Sequence, residues 1–155
     1  MSNVSSGSTH EKDAKFILEL PVPLWNYEVC RTWRKAIRLP NGKTISTAND
    51  FFGAWDLIAT RTDRLKFIQV TCPTELQKKI TKILEHTKWC MKHDHEIWIW
   101  YGGRRHRNKC FAKGNENAPM VLAQCFAIYR LDHIHNEFKR VGVIDKTGEL
   151  LEGIT

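Results

Sequence analysis

Two β-rich segments, Trp55 to Thr60 and Leu65 to Thr71, are joined by only four polar residues, Arg61-Thr62-Asp63-Arg64. So short a polar connection between apolar and β-branched runs predicts a β-hairpin. With the turn centred between Thr62 and Asp63, Thr60 faces Leu65 and Asp56 faces Gln69. Directly opposed residues hold their Cβ atoms about 4.5–5.5 Å apart on one face of a sheet. Strand alternation puts Phe67, Gln69 and Thr71 on that face and turns Lys66, Ile68 and Val70 to the other. A carboxylate, an amide oxygen and a hydroxyl are thus expected on one patch. Such oxygen donors suit Mg²⁺ or Mn²⁺, hard cations that keep several waters and substrate phosphates in their shell. A cation held there activates water and stabilises the charge that develops on phosphate. The residues leave a plainer reading open, in which Asp56 pairs with a nearby arginine and Gln69 is an ordinary polar residue.

The segments around the hairpin set the fold class. Ser8-Thr9-His10-Glu11 has the spacing of a capping box and predicts a helix starting there, after a disordered lead over residues 1–7. Its apolar positions are Ala14, Ile17, Leu18 and Phe16, and Pro21 and Pro23 stop it. Tyr27 to Leu39 reads as extended, turning at Pro40-Asn41-Gly42 into a second extended piece over Lys43 to Thr47. Pro73 and Thr74 introduce a helix with Leu76, Ile80, Ile83, Leu84 and Thr87 on one face. Lys78, Lys79, Lys82 and Glu85 lie largely outside that face. Glu96 to Tyr101 is a short buried strand closed by Gly102-Gly103, Met120 to Leu131 is strand or helix, and Arg140 to Leu151 is a hairpin turning at Lys146-Thr147-Gly148. The order predicts an α/β (α+β) chain: a mixed β-sheet flanked by helices, as one domain over residues 8–155. Its core is residues 8–101 and its C-terminal β-rich extension is 102–155.

Charge narrows the partners. Lysine and arginine number 24 against 17 acidic residues, a formal charge of +7, which favours nucleic acid over an anionic membrane surface. The densest basic segment, Gly102 to Lys109, carries Arg104, Arg105, Arg107 and Lys109. Arginine forks match phosphate oxygens, although a merely solvated loop has the same composition. Trp25, Trp33, Trp98, Trp100 and Tyr101 have rings that can stack on bases, yet tryptophans at alternating strand positions usually belong to a core. No apolar run reaches the roughly 18 residues that span a bilayer, and the amino terminus lacks an apolar signal core, so a cytoplasmic, intracellular protein with no membrane partner is expected. The cysteines, Cys30, Cys72, Cys90, Cys110 and Cys125, never form a CxxC pair, which predicts reduced and mostly buried thiols. Cys90, His93 and His95, with His86 upstream, invite a zinc reading but lack a closing half. They are read as ending one helix and beginning the next strand.

Gly53-Ala54-Trp55-Asp56-Leu57-Ile58-Ala59-Thr60, followed by Lys66-Phe67-Ile68-Gln69-Val70-Thr71, resembles the G-x-x-D-L-I-A … I-(E/Q)-V-K signature of PD-(D/E)XK nucleases. Archaeal Holliday-junction resolvases and VRR-NUC domains are similar over this region, and the element order agrees over residues 8–101. The resemblance implies a restriction endonuclease-like fold in which Asp56 is the metal-binding aspartate, with Trp55 in place of the usual proline. Gln69 matches the second acidic ligand as an amide. Thr71 stands where the catalytic lysine belongs, and threonine supplies no cation beside the scissile phosphate. Lys66 points to the opposite face, which leaves Lys78 or Lys79 on the following helix to reach across. Glu11 resembles the helix-borne glutamate that joins such sites, and Asp50 offers another carboxylate, although cap and turn roles suit both equally.

What the resemblance implies is a Mg²⁺-dependent DNA endonuclease or resolvase-like phosphodiesterase. The alternative is a catalytically inactive nuclease-fold module that binds nucleic acid or a protein partner. Resolvase relatives are usually dimers, which raises a homodimer without locating its interface. The basic segment yields a direct test. Nucleic-acid affinity is expected to fall steeply with salt, and joint neutralisation of Arg104, Arg105 and Arg107 should flatten that dependence. An unchanged salt slope, read by fluorescence anisotropy, would dismiss the segment as a phosphate contact.

Overall fold

The computed structural model describes residues 6–32, 34–48, 50–86, 88–102 and 124–153. Helix α1 (Ser6–Leu18) leads to strand β1 (Glu28–Arg31) and a small hairpin of β2 (Arg34–Arg38) and β3 (Thr44–Ala48). A second hairpin, β4 (Leu57–Arg61) and β5 (Arg64–Thr71), is followed by a 3₁₀ turn at Pro73–Glu75 and helix α2 (Leu76–Leu84). Strands β6 (Asp94–Tyr101), β7 (Cys125–Asp132), β8 (Glu137–Asp145) and β9 (Leu150–Glu152) complete the described chain. Among the described residues, seven strands form one mixed sheet in the order β1-β4-β5-β6-β7-β8-β9, while β2 and β3 pair only with each other. The β5–β6 pair is parallel and the rest are antiparallel. A parallel pair needs a crossover, which the α2 segment supplies.

The two helices pack against clusters on opposite faces, which explains the near-continuous burial of β5, β6 and β7. Ala14, Ile17 and Leu18 of α1 join Leu57, Ile68, Val70, Trp98 and Phe126 in one cluster. On the other side Ile83 of α2, with Leu76 and Ile80 against it, joins Ile97, Ile99 and Val143. Phe16 departs from the expected helix face and is 62% exposed. Ala14, Ile17 and Leu18 recur at i, i+3 and i+4, whereas Phe16 falls between them on another side of the helix. The helix begins at Ser6, so Ser8 lies within it and the Ser8/Glu11 spacing does not mark its start.

Other expectations are refined. The extended stretch from Tyr27 to Leu39 breaks after Arg31, and only β1 joins the large sheet. The ambiguous segment ending at Leu131 is a strand from Cys125 onward, paired to both β6 and β8. Strands β7 to β9 therefore extend the same sheet and form no separate layer. The predicted turn at Lys146-Thr147-Gly148 joins β8 to β9, and Gly148 has φ 84°. A Cβ there would lie 2.8 Å from Leu20 and 3.1 Å from the Trp25 indole nitrogen, so the turn seats against the segment after α1. Trp25 seals this contact by donating from Nε1 to Gly148 O at 3.2 Å. Cys30, Cys72 and Cys90 are free as expected but exposed or half-buried, whereas Cys125 is buried as expected but disulfide-bonded, against the expectation of reduced thiols. Cys30 lies on a short edge strand and Cys90 in a connection, where little packs over them. Among the described residues, no helix is long and apolar enough to cross a membrane.

One charged group lies deep in the sheet. Glu96, fully buried, accepts from Lys66 Nζ at 3.0 and 3.2 Å, from Trp98 Nε1 at 3.1 Å and from Arg130 Nε at 2.9 Å. Burial alone would raise its pKa, but Lys66 and Arg130 hold it below the usual carboxylate value. Removing one partner of such a buried cluster strands the others. Glu96→Ala is expected to lower unfolding stability by about 3–5 kcal/mol. Lys66→Met should cost clearly less, because Arg130 still neutralises the carboxylate. Urea unfolding compares them, and equal midpoints for Glu96→Ala and wild type would refute the assignment.

Candidate functional site

The hairpin adopts the register expected from its turn: Thr60 pairs with Leu65 and Leu57 with Ile68. Asp56 stands one residue before β4, where its backbone is held on both sides. Its N–H donates to Ile68 O at 2.9 Å, and its carbonyl accepts from Thr32 N–H at 2.9 Å. The side chain then continues the ladder, Oδ2 accepting from Val70 N–H at 3.0 Å and also from Gln69 Nε2. Gln69 Nε2 donates as well to Val70 O at 3.1 Å. Both residues are buried, with Asp56 5% and Gln69 1% exposed. The amide leaves its oxygen over: Gln69 Oε1 is buried and has no hydrogen-bond partner among the described residues.

Around this pair stand charges from three other elements. Burial raises the Asp56 pKa first, then the negative charge of Glu11, and Asp50 adds to the effect. The Val70 N–H and the charge of Lys79 pull the other way, and the carboxyl comes to rest at about 7. Glu11 is held by Arg31 at 3.2 Å, and Asp50 lies 3.6 Å from Lys82 while its carbonyl accepts from Gly53 N–H. Glu11 sits in the interior of α1, so it is no cap, whereas the turn role considered for Asp50 is present.

The two candidate lysines separate. Lys78 is 82% exposed and lies 3.9 Å from Glu75, turned to solvent. Lys79 is half-buried, and its charge acts on Asp56. Thr71 is buried, with Oγ1 donating to Cys72 O at 3.4 Å. Lys66 belongs to the opposite face, bound to Glu96. Arg104, Arg105, Arg107 and Lys109, like Trp33, lie outside the described residues. Trp25 and Trp98 are core residues, and Tyr101 is buried.

The donors fit a hard divalent cation. An amide oxygen lacking a partner, beside a carboxylate kept partly protonated by burial and by neighbouring negative charge, is what such an ion would satisfy. Among the described residues no three carboxylate, imidazole or thiolate groups converge into a cage. Asp56 and Gln69, with Glu11 nearby, would thus hold the ion sparsely, with water and phosphate completing its shell. The Cys90 to His93 run lies in the connection after α2, and His95 is the second residue of β6. No protein-family model, curated protein or solved structure matches the chain.

The raised Asp56 pKa has a defined sign. A carboxyl titrating at about 7 when folded, against about 3.8 when unfolded, stabilises the protein fully below the unfolded value. That stability is lost as pH rises through the folded value. Asp56→Asn keeps an oxygen for Val70 N–H and removes the charge. It should stabilise the metal-free protein at pH 8, on the order of a few kcal/mol at most, and much less at pH 5. Thermal unfolding at both pH values checks this, and a variant less stable than wild type at pH 8 would contradict it.

Proposed function

We propose that the chain is a metal-dependent phosphodiesterase of the PD-(D/E)XK type acting on nucleic acid, with DNA the favoured polymer. The observation that carries this reading is the buried, unpartnered Gln69 Oε1 beside Asp56 on one sheet face. The topology supports a restriction endonuclease-like core: α1, the β1-β4-β5 antiparallel sheet, α2, and β6 parallel to β5. Asp56 and Gln69 are hydrogen-bonded to each other, which disfavours any reading that sets the two side chains on opposite faces of the sheet.

Asp56 and Gln69 supply fixed oxygen ligands, and Mg²⁺ or Mn²⁺, when bound, would polarise the phosphate and lower the pKa of a water. Asp56 is oriented by the Val70 N–H, so its free lone pairs are aimed before substrate arrives. Thr71 brings no charge, and Lys79 is a cation whose charge acts on the carboxylate. Its position on α2 suits a role at the scissile phosphate that residue 71 cannot fill. The uncharged Thr71, tied to Cys72 O, favours the second reading, a binding module without catalysis.

Cleavage of linear and four-way-branched DNA in Mg²⁺ or Mn²⁺ separates these readings. Asp56→Ala is expected to abolish cleavage while binding survives, and Lys79→Ala to reduce it by about 10²-fold with Lys78→Ala near wild type. Binding without cleavage by the wild type would select the inactive module. Cleavage by Asp56→Ala at the wild-type rate would remove this site from consideration.

A further inference from the structure

A cavity of about 600 Å³ opens between the Phe51–Trp55 turn, the start of β5 and the connection from α2 to β6. Its size falls within the range of small-molecule sites. Phe52, Phe67 and Trp89 give it three aromatic walls, and His86, Cys90 and His93 bring polar atoms to it. The rings are fixed. Trp89 donates from Nε1 to Ile83 O at 3.0 Å, and His95 lies flat on Phe67 with centroids 5.2 Å apart. His95 also meets His133 at 3.2 Å, and its pKa is held down at about 4 by burial and by His133, which leaves it a neutral wall at neutral pH.

Phe52 is the unusual member. It is 69% exposed and has φ 54°, directly before Gly53 at φ 71°. A bulky residue in the left-handed region persists only where its surroundings hold it, and such residues gather at functional sites. Its ring stands edge-on to Phe67 and Trp89, at 6.0 and 6.4 Å, over the cavity mouth.

Position supplies the occupant. Phe67 is two residues before Gln69 on the same face of β5, about 7 Å along the strand. We propose that this cavity receives one unstacked nucleobase of the strand whose phosphate lies at Asp56 and Gln69. Aromatic walls stack on any base, and the histidine and cysteine atoms meet its polar edge. A base inside a duplex cannot enter, so the substrate class narrows to nucleic acid with an unpaired nucleotide beside the scissile phosphate, as in a bulge, a flap or a single-stranded end. The inference rests on the phosphodiesterase reading.

Three DNA ligands test it in EDTA: a continuous duplex, the same duplex with a one-nucleotide 2-aminopurine bulge, and one whose bulged nucleotide is abasic. The full-length wild type is expected to prefer the base-bearing bulge over the abasic one by about tenfold, with quenched 2-aminopurine fluorescence. Phe52→Gly, which frees the positive φ of strain and so keeps the fold, should abolish that preference while affinity for the abasic bulge is unchanged. Trp89→Leu should do the same. Equal affinity for base-bearing and abasic bulges, with binding intact, would overturn the base pocket and leave the phosphodiesterase reading standing. Failure to bind any of the three would overturn both.

Discussion

The site depends on the pairing of β4 with β5, because side chains along a strand alternate with a period of two. In the observed register Gln69 hydrogen-bonds Asp56 just beyond the last ladder pair, Leu57–Ile68, and Ile68 packs beneath α1. A slip by one residue would exchange them, burying the amide in an apolar cluster. The register is held from both ends. At the turn Arg61 faces Arg64, and at the far end the Asp56 carboxylate accepts the Val70 N–H as a strand carbonyl would. The group proposed for chemistry is thus also part of the ladder that fixes its own position.

Two buried carboxylates in one sheet show how surroundings decide the charge state. Glu96 is the more deeply buried, yet its pKa falls, because Lys66 and Arg130 reach it directly. Asp56 is buried with only a half-buried lysine at a distance and two acidic neighbours, so burial first, and then those negative charges, raise its pKa. The first carboxylate is neutralised by direct cationic partners, and the second is not. This contrast separates a carboxylate neutralised within the fold from one that keeps a raised pKa.

Much of this was legible in the residues because it obeys a simple period. The turn between Thr62 and Asp63 fixed the hairpin register, and alternation correctly sent Lys66 to the far side from Gln69. The choice between Lys78 and Lys79 was not legible, since adjacent residues on a helix differ by about 100° and only packing tells which faces the sheet. The β7–β8 turn escaped for a related reason: Ile134 to Asn136 lacks a glycine, and Asn136 supplies the positive φ. The aromatic cavity was the furthest from view. Its walls come from residues 52, 67 and 89, which no local pattern connects. The one hint was that Phe67 shares a face with Gln69.

The ends of the seven-stranded sheet are short, with four residues in β1 and three in β9, and the ladder shifts register beside β9. Short or irregular edges offer few consecutive unpaired amides to a neighbouring molecule, which discourages the strand-on-strand stacking that long flat edges invite. Strand addition at those margins is therefore a poor route to self-association. A second copy would have to be met through side chains on a helical or sheet face, where surface charge and shape can select the partner. Among the described residues, exposed backbone at the margins of the large sheet thus offers little to self-association.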